Sequence, residues 1–485
     1  MMNAVLLTAD IGLSFCKVAV STAEGELLSS EGAPTPVCTP GPGRSEMPME
    51  ALWQTVAGLI RRVLEAVPDR ATVTAVGISG HGNGAYFVDA DGQTRGQAIT
   101  SMDTAAEEEI ARLPEQNRSV LTALTLQQLW AGQPGMILRR LKRTEPERYA
   151  RIGQVLSCKD FIAYRLTGQC HTDYGDVSAA GLLDIRQNRY APELFAALEL
   201  PELGAKLPPV LRASDCRGGV TPEAAGSTGI PAGTPVIGGM FDVDACIYGA
   251  GVARSEDPIC SIAGTWNINA AVAAVPDFHP TIRQCVRRGD GKALLLIDSS
   301  ATSAVNIEWL MKKIFAGSRR YDELADVLRR VRRTVDSPYW LPFVNGSLGT
   351  AASRGAWIGI HASHRTDDLM AAVAEGMAFA HRFHLENLAR AGAAVSGIRL
   401  TGGAATPEFG QLLADVCGRP VTTVTEKQSG TAGLRAAARV ALGLAPTLAD
   451  AVAATVDGAF QPVAAEHDLY NQRYQRFKEL LSCPL

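Results

Sequence analysis

The opening of the chain alternates short apolar runs with polar turns, a pattern that predicts antiparallel strands. Residues 4–22, AVLLTADIGLSFCKVAVST, predict a strand, a tight turn and a second strand. Residues 24–33, EGELLSSEGA, add the next turn and strand, so this start is typical of a β-meander. Apolar residues recur with a helical period in residues 49–67, MEALWQTVAGLIRRVLEAV, which predicts an amphipathic helix. Residues 71–93 predict a strand, a glycine-rich turn and a second strand, with DADG as a hairpin turn.

The second half of the chain echoes this arrangement. Residues 105–168 have mainly helical periodicity, and a strand is predicted at Thr234–Ile237. Residues 256–274, EDPICSIAGTWNINAAVAA, again predict a strand, a glycine-containing turn and a strand. Residues 397–418 predict a strand, a glycine turn and a helix. Two halves of similar pattern predict a duplicated α/β unit.

Length and composition narrow the class of protein. The chain has 485 residues, too many for one ordinary core, so we place a domain boundary near residue 245. A net charge of −4 gives no indication of a nucleic-acid or anionic-membrane partner, and the basic run Arg329–Arg333 is predicted to be a solvated helix face. No apolar run approaches the length of a membrane span, and no signal peptide is predicted. Ten cysteines without a CxxC pair predict reduced thiols in a cytoplasmic protein.

Two carboxylates stand out in residues 235–251, PVIGGMFDVDACIYGAG. Asp242 and Asp244 follow the glycine turn Gly238–Gly239 and precede a run of small residues. Burial of a carboxylate is costly unless it meets a partner or a metal ion. Either these acids cap a helix, or they face a cleft and take part in chemistry. For Asp244 we favour a carboxylate at a helix N-terminus, stabilised by the helix dipole.

The turn in residues 10–17, DIGLSFCK, has residue types that suit phosphate. Gly12 and Ser14 offer backbone N–H groups and a hydroxyl group, Asp10 could hold Mg²⁺, and Lys17 adds a positive charge. For so short a pattern taken alone, a plain β-turn is the favoured interpretation.

Two later turns have similar features. Gly264 and Thr265 repeat the glycine and hydroxyl of the first turn. Gly402 and Gly403 lie between a strand and a helix, where a nucleotide could pack against bare backbone. No Walker A or GxGxxG pattern occurs, so P-loop and Rossmann interpretations lack support. Together, the turns and the acids at strand ends fit an ATP-dependent transfer enzyme.

The order of these segments resembles the FGGY carbohydrate kinases. The segments that carry the resemblance span nearly the whole chain and are DIGLSFCK, GISGHGNGAYFVDADG, CKDFIAYRLTG, TDYGDVSAAGLLDIR, GTPVIGGMFDVDACIYGAG, AGTWN, NIEWL and LTGGAATPEFGQLLADVCGRPV. The resemblance implies an actin-like ATPase (ribonuclease H-like) α/β fold of two duplicated domains with a central cleft. It also implies ATP, Mg²⁺ and a sugar or polyol substrate. Within the family, GGMFDVDA, GRSEMPMEALWQ and SSATSAVNIEWL are most similar to the L-xylulose/3-keto-L-gulonate kinase branch, with D-xylulose kinases as neighbours.

The resemblance implies a role for individual residues. Asp242 matches the general base that takes the proton from the substrate hydroxyl group, and Asp10 and Asp242 match positions near the metal. The implied sugar ligands are His81, Gly82, Asn83, Asp103, Phe241 and Asp242. The implied ATP ligands are Asp10, Gly12, Ser14, Lys17, Gly264, Thr265, Asn306, Gly402, Gly403 and Ala404. Residues 1–245 would form the sugar-binding domain and residues 246–485 the nucleotide-binding domain, and a homodimer is common in the family.

Three positions depart from the family pattern. Relatives commonly have an arginine two residues after the aspartate at position 103, but this chain has Ala105. Val305 replaces a family glycine, and Leu13 replaces a frequent threonine. The missing arginine leaves the acceptor open between a ketose, a keto-sugar acid and a polyol. An ATPase without a sugar acceptor and a non-catalytic sugar sensor remain the alternative functions.

Overall fold

The computed structural model describes residues 3–67, 71–94, 96–273, 282–424, 428–452 and 456–483. The strands are β1 (Asn3–Ile11), β2 (Phe15–Thr22), β3 (Leu27–Pro34), β4 (Glu46–Pro48), β5 (Ala71–Gly80), β6 (Tyr86–Asp89), β7 (Gln97–Ile99), β8 (Ile152–Leu156), β9 (Thr172–Asp173), β10 (Val210–Leu211), β11 (Cys216–Gly219), β12 (Pro235–Ile237), β13 (Met240–Phe241), β14 (Ile259–Ala263), β15 (Asn267–Ala273), β16 (Gln284–Arg287), β17 (Leu294–Ser300), β18 (Tyr339–Leu341), β19 (Ala356–Ile358), β20 (Ile398–Thr401), β21 (Val421–Val424) and β22 (Val456–Phe460). The α-helices are α1 (Met49–Glu65), α2 (Glu107–Arg112), α3 (Glu115–Thr125), α4 (Pro134–Thr144), α5 (Pro146–Arg151), α6 (Cys158–Thr167), α7 (Tyr174–Ala179), α8 (Pro192–Ala197), α9 (Pro222–Thr228), α10 (Asp242–Gly249), α11 (Ala304–Trp309), α12 (Glu323–Arg330), α13 (Thr366–Arg390), α14 (Pro407–Cys417), α15 (Ser429–Ala441), α16 (Leu448–Ala451) and α17 (Ala464–Leu480).

The first half is built on a sheet that begins with the predicted meander. β1, β2 and β3 are antiparallel neighbours, and β5 then lies parallel to β1. The sheet continues in the order β11-β12-β5-β1-β2-β3, and β13 pairs with the end of β5. The predicted amphipathic helix is α1, whose buried face includes Leu52, Trp53, Val56 and Ile60. Burial of these side chains, together with the apolar side chains of the sheet, forms the core of the first half.

The second half repeats this plan. β14 and β15 form the predicted hairpin, β17 pairs with β15, and β20 lies parallel to β14. The sheet order is β16-β17-β15-β14-β20-β21-β22. The long helix α13 crosses this half and buries the side chains of Met370, Met377, Phe379 and Leu388. Each sheet therefore combines antiparallel strands with a parallel strand beside the first strand of its hairpin, as the prediction of a duplicated unit required.

Helices α10 and α15 join the two halves through small residues. A Cβ atom at Gly249 would overlap the carbonyl oxygen of Ser429, and one at Gly433 would overlap that of Ala245. Only glycine allows the two helix backbones to approach so closely. Helix α15 belongs to the second half of the chain, yet its Leu434 is part of a core cluster with residues of the first sheet.

Some sequence predictions need correction. Residues 105–168 are mainly helical, but they also contain β8, which pairs with β6, the strand before the DADG turn. The basic run is not fully solvated, because Arg333 is buried and lies 2.5 Å from the carboxylate of Glu375.

In the described residues, every helix is too short or too polar to cross a membrane. All ten cysteines are described, and each is a free thiol.

Candidate active site

The ends of three parallel strands bring the predicted catalytic residues to one edge of the first sheet. In the pairing of β1 with β5, Asp10 lies opposite Ser79. In the pairing of β13 with β5, Phe241 lies opposite Gly80. Asp10 and Asp242 therefore flank the carboxyl end of β5, where the turn that begins with His81 leaves the sheet. Ligands of α/β proteins commonly bind at this edge of a sheet.

Asp242 is the first residue of α10, directly after the short strand β13. Its Oδ1 atom accepts a hydrogen bond from the backbone N–H of Val243 at 2.7 Å. Burial, and next the negative charge of Asp10, raises the pKa of Asp242 well above its ordinary value. A carboxylate with a raised pKa is a stronger base, as proton removal from a hydroxyl group requires.

Asp244 lies in the first turn of α10, as predicted, but it is held by an ion pair that the sequence analysis did not identify. Its Oδ1 atom lies 2.9 Å from Nε of Arg288, and its Oδ2 atom accepts the backbone N–H of Gly289 at 2.9 Å. Both side chains of the pair are fully buried. Asp244 thus fixes α10 to the β16–β17 connection, and Asp242, two residues earlier, is the acid at the strand edge.

The turn after β5 presents the predicted sugar ligands His81 and Asn83. His81 is buried, its Nε2 atom lies 2.9 Å from the hydroxyl group of Tyr86, and burial lowers its pKa to about 4. Asn83 has a φ of 60°, a left-handed conformation that asparagine tolerates well. His81 Nδ1 and Asn83 Oδ1 are buried and have no hydrogen-bond partner among the described residues. A neutral imidazole and an amide oxygen without partners suit a ligand with several hydroxyl groups.

Gly82 lies against Phe241, the residue before Asp242. A Cβ atom at Gly82 would overlap the Phe241 ring. We expect Gly82→Ala to displace this ring and to raise KM for the acceptor about 10-fold or more, since misplacement of positioning groups by about 1 Å has large kinetic effects. Steady-state kinetics with varied acceptor would measure the change. Gly226→Ala is the control, because a Cβ atom there meets nothing within 4 Å. An unchanged KM in Gly82→Ala would contradict the close approach.

Asp103 lies near this turn, and its carboxylate already has several partners within the protein. Its carboxylate accepts the backbone N–H groups of Ser45 at 2.9 Å and of Ala105 at 3.0 Å. Nε of Arg44 lies 3.3 Å from the same carboxylate. The sequence analysis did not identify Arg44, which precedes Asp103 by more than fifty residues along the chain.

The first predicted phosphate turn connects β1 to β2. The backbone N–H of Gly12 donates to the carbonyl of Phe15 at 3.1 Å, and Ser14 is exposed in the turn. Lys17 lies opposite Asp10 in the strand register. Asp10 accepts a 2.6 Å hydrogen bond from the hydroxyl group of Ser79. Burial raises the pKa of Asp10, while Ser79 and Lys17 oppose this shift.

The turns of the second half meet one another at the end of β14. Ala404 donates its N–H to the carbonyl of Ala263 at 3.0 Å, and Ala304 donates to the carbonyl of Gly264 at 2.9 Å. Gly402 has a φ of 103°, and Gly402, Gly403 and Thr265 are exposed. The predicted residues of the hairpin and of the glycine turn therefore share one exposed surface.

The start of α15 connects this surface to Asp10. The hydroxyl groups of Thr401 and Ser429 lie 2.7 Å apart. A Cβ atom at Gly430 would lie 2.6 Å from Oδ2 of Asp10. The first phosphate turn, the strand edge and the glycine turn are thus neighbours, with the N-terminus of α15 between them.

Asn306, a predicted ATP ligand, has an amide group that is already hydrogen-bonded within the protein. It lies in α11 and is completely buried. Its Nδ2 atom donates to the carbonyl of Ser303, and its Oδ1 atom accepts from the indole N–H of Trp340. The side chain is therefore used to hold α11 against β18.

A buried charge cluster lies under the strand edge and was also missed. Lys159 contacts the carboxylates of Asp160, Asp173 and Asp176, and Arg217 lies 2.8 Å from Asp160. These three acids are the one group of metal-ligand type found in the described residues. The Lys159 ammonium group already occupies their centre, so they form an ion-pair network and not a metal site. Asp160 and Asp173 also cap helices α6 and α7.

Comparisons with known proteins match nearly the whole chain. Residues 5–249 match the model of the FGGY family of carbohydrate kinases, N-terminal domain, and residues 260–442 match its C-terminal domain. The chain is 30% identical to the L-xylulose/3-keto-L-gulonate kinase of Escherichia coli K12, over 98% of this chain and 96% of the relative. It is 32% identical to a probable L-xylulose kinase of Pasteurella multocida, over 98% of each chain. The crystal structure of a ligand-bound xylulose kinase from Lactobacillus acidophilus superposes with a TM-score of 0.89 at 21% identity, over 98% of this chain and 97% of that chain. The fold is the predicted actin-like ATPase fold.

Proposed function

The chain belongs to the FGGY family of carbohydrate kinases, and on that premise we propose that it phosphorylates a hydroxyl group of a small ketose or keto-sugar acid, with Asp242 as the general base. Its activity as an ATP-dependent sugar kinase follows from the family. The observation that carries the proposal is the convergence of Asp10, the His81–Asn83 turn and Asp242 at the ends of three parallel strands. The full-length similarity to L-xylulose kinases supports a ketose as the acceptor.

The proposed chemistry assigns a task to each part of this edge. The His81 ring and the Asn83 amide hold the hydroxyl groups of the acceptor. Asp242 removes the proton from the reacting hydroxyl group, whose oxygen then forms a bond to the γ-phosphorus of ATP as the bond to ADP breaks. Phosphate oxygens are held by the β1–β2 turn, through N–H groups other than that of Gly12, and by N–H groups of the turn at Gly264. The close packing of α10 and α15 beside the site would help to exclude water, which competes as an acceptor.

Two half-buried carboxylates fit a magnesium ion. Asp10 and Asp242 are oxygen ligands of the kind that Mg²⁺ prefers, and their repulsion contributes to the raised pKa of Asp242. We propose that they hold Mg²⁺, directly or through water, together with the phosphates of ATP. When bound, the ion neutralises charge on the transferred phosphoryl group.

We also propose that the two halves of the chain bind different substrates. Residues 1–245 would form the sugar-binding domain, since His81, Asn83 and Asp103 all lie there. Residues 246–485 would form the nucleotide-binding domain, since Gly264 and the exposed turn at Gly402–Gly403 lie there. The family models leave residues 250–259 between their matches, close to this boundary.

Replacement of Asp10 should affect the nucleotide more than the sugar. We expect Asp10→Ala to raise KM for Mg²⁺-ATP about 10-fold or more, because loss of a ligand or its hydrogen-bonded partner typically costs 10- to 100-fold in metal affinity or activity. KM for the acceptor should change much less. Initial rates with each substrate varied in turn would separate the effects. Asp91→Ala, in an exposed turn far along the chain from β1, is the control. A larger change in KM for the sugar than for Mg²⁺-ATP would contradict the placement of Asp10.

A panel of acceptors tests the proposed function itself. ADP release would be followed by a coupled assay without sugar and with ketoses, keto-sugar acids and polyols. Release that depends on a ketose or keto-sugar acid supports the proposal. Release that is equally fast without any acceptor would identify an ATPase, and binding of a sugar without release would identify a sensor.

A further inference from the structure

Two buried oxygen atoms without partners belong to residues that line one small cavity beside the sugar turn. They are Oδ1 of Asn83, in the turn itself, and Oδ1 of Asp176, in α7. Neither atom has a hydrogen-bond partner among the described residues. The two residues are only 5% and 3% exposed, and both line the same cavity of about 30 Å³. A buried polar atom without a partner is costly, so this pair of oxygens is expected to meet a ligand or ordered water.

The second oxygen of the Asp176 carboxylate is fully used within the protein. Oδ2 accepts a hydrogen bond from the hydroxyl group of Ser157 at 3.0 Å and lies 2.7 Å from Nζ of Lys159. These two contacts fix the position of the carboxylate. The ion-pair network therefore holds Asp176 in place and leaves Oδ1 available for another group.

Helix α7 also packs beside the proposed catalytic edge. A Cβ atom at Gly175 would lie 3.6 Å from Cβ of Phe241, the residue before Asp242. The negative charge of Asp176 contributes to the raised pKa of Asp242, so each carboxylate lies within the range of the other's charge. The cavity is thus near the proposed general base, and Asn83 connects it to the turn that holds the acceptor in the proposed arrangement.

The chemistry of the two oxygens favours a hydroxyl group as their ligand. Both atoms are hydrogen-bond acceptors, so the ligand must offer a donor. A carboxylate or phosphate group would place its own oxygens against them, and a cation would lie beside the ammonium group of Lys159. Burial raises the pKa of Asp176, although the charge of Lys159 opposes the shift. A hydroxyl group suits this carboxyl group in either protonation state, because it can both donate and accept.

The size and walls of the cavity fit one small part of a sugar. Since about 10–15 Å³ suffices for one water, a cavity of about 30 Å³ has room for a carbon atom together with its hydroxyl group. The apolar residues Val155, Leu156 and Leu182 line other parts of the wall and would contact the carbon atom.

We propose that Asn83 and Asp176 together bind one hydroxyl group of the acceptor that is not phosphorylated, and that this pair makes the enzyme select acceptors that carry it. The inference rests on the proposed function and adds Asp176 as a residue that determines specificity. Selection would arise because an acceptor without this hydroxyl group leaves two buried oxygens unpaired.

The test combines variants of the enzyme with analogues of the acceptor. kcat/KM would be measured with the best acceptor of the panel and with its monodeoxy analogues, each of which lacks one hydroxyl group other than the one that is phosphorylated. For the wild type, one analogue should be about 10- to 100-fold worse than the parent acceptor. Asp176→Ala should lose a similar factor with the parent, mainly through KM, but should use that analogue within about threefold of the wild type.

Asp160→Ala is the matched control, because Asp160 contacts the same Lys159 ammonium group but is not part of the cavity wall. It should lower stability and leave the ratio of kcat/KM between parent and analogue as in the wild type. Equal losses with the parent and all analogues in Asp176→Ala would indicate a structural role and overturn the inference.

A wild type that uses every analogue as well as the parent would also overturn the inference. The cavity would then hold only water, while the proposed kinase function would stand. If no sugar is phosphorylated at all, the proposed function fails, and the inference fails with it.

A second variant covers the case in which Asp176→Ala does not fold. Ala180 also lines the cavity, and Ala180→Leu would fill it without a change in the charged network. KM for the acceptor should rise about 10-fold or more, and KM for Mg²⁺-ATP should stay within about threefold. Ala123→Leu, at an exposed position of α3, is the control. An unchanged KM for the acceptor in Ala180→Leu would contradict the inference.

Discussion

Asp242→Asn is expected to lower kcat by about 10²- to 10⁴-fold, the usual contribution of a general base. The asparagine keeps the shape of the side chain and can still accept the N–H of Val243, but it cannot take a proton. KM for the sugar should therefore stay within about threefold, because the His81–Asn83 turn is untouched. The structure supports this role through the position of Asp242 at the strand edge and its raised pKa.

Steady-state kinetics of purified Asp242→Asn would measure this effect, with thermal unfolding as a check of the fold. Asp244→Asn is the internal comparison, since it removes the same charge two residues along the chain. It should weaken the fold but leave most of kcat in the folded protein. Turnover of Asp242→Asn within a few-fold of the wild type would remove Asp242 from the role of general base.

Asp244→Ala should have the largest effect on stability, a loss of about 3–5 kcal/mol in the free energy of unfolding, as found when one partner of a buried ion pair is removed. Arg288 would remain fully buried without its carboxylate. Although burial alone would lower it, the pKa of Arg288 is raised, chiefly by the Asp244 carboxylate. Arg288 also lies 3.5 Å from the ring centre of Tyr248, so it has little freedom to reach water.

Urea unfolding followed by tryptophan fluorescence would measure the loss. The double variant Asp244→Leu with Arg288→Met is the matched comparison. It removes both charges and should be more stable than Asp244→Ala, because no unpaired charge remains in the interior. If Asp244→Ala unfolded at the same urea concentration as the wild type, Arg288 would have found another partner or water.

The strands and helices that were predicted correctly have a characteristic pattern of apolar and polar residues within their own segment. The β1–β2–β3 meander and the β14–β15 hairpin follow from short apolar runs broken by turn residues, and α1 follows from helical periodicity. β8 was missed because its five residues are too short to show a period within a mainly helical segment. The strand-edge position of Asp242 could be inferred because the glycine turn and the small residues after it lie in one continuous segment.

The partners of charged residues could not be predicted, because they come from distant parts of the chain. Asp244 and Arg288 are 44 residues apart, and Ser45 and Asp103 are 58 residues apart. No pattern in the sequence joins such pairs until the fold brings them together. The partner of Asn306 is distant in the same way, since its amide oxygen accepts from Trp340, 34 residues later.

The transfer of phosphate to a sugar is the central claim, and ³¹P NMR tests it most directly. Wild type and Asp242→Asn would be incubated with Mg²⁺-ATP and the best acceptor of the panel, and all phosphorus species would be followed with time. The account predicts that the wild type forms one sugar phosphate for each ADP with little inorganic phosphate, and that Asp242→Asn forms both products at least about 100-fold more slowly. Inorganic phosphate as the main product of the wild type, or sugar phosphate formed at a normal rate by Asp242→Asn, would contradict it.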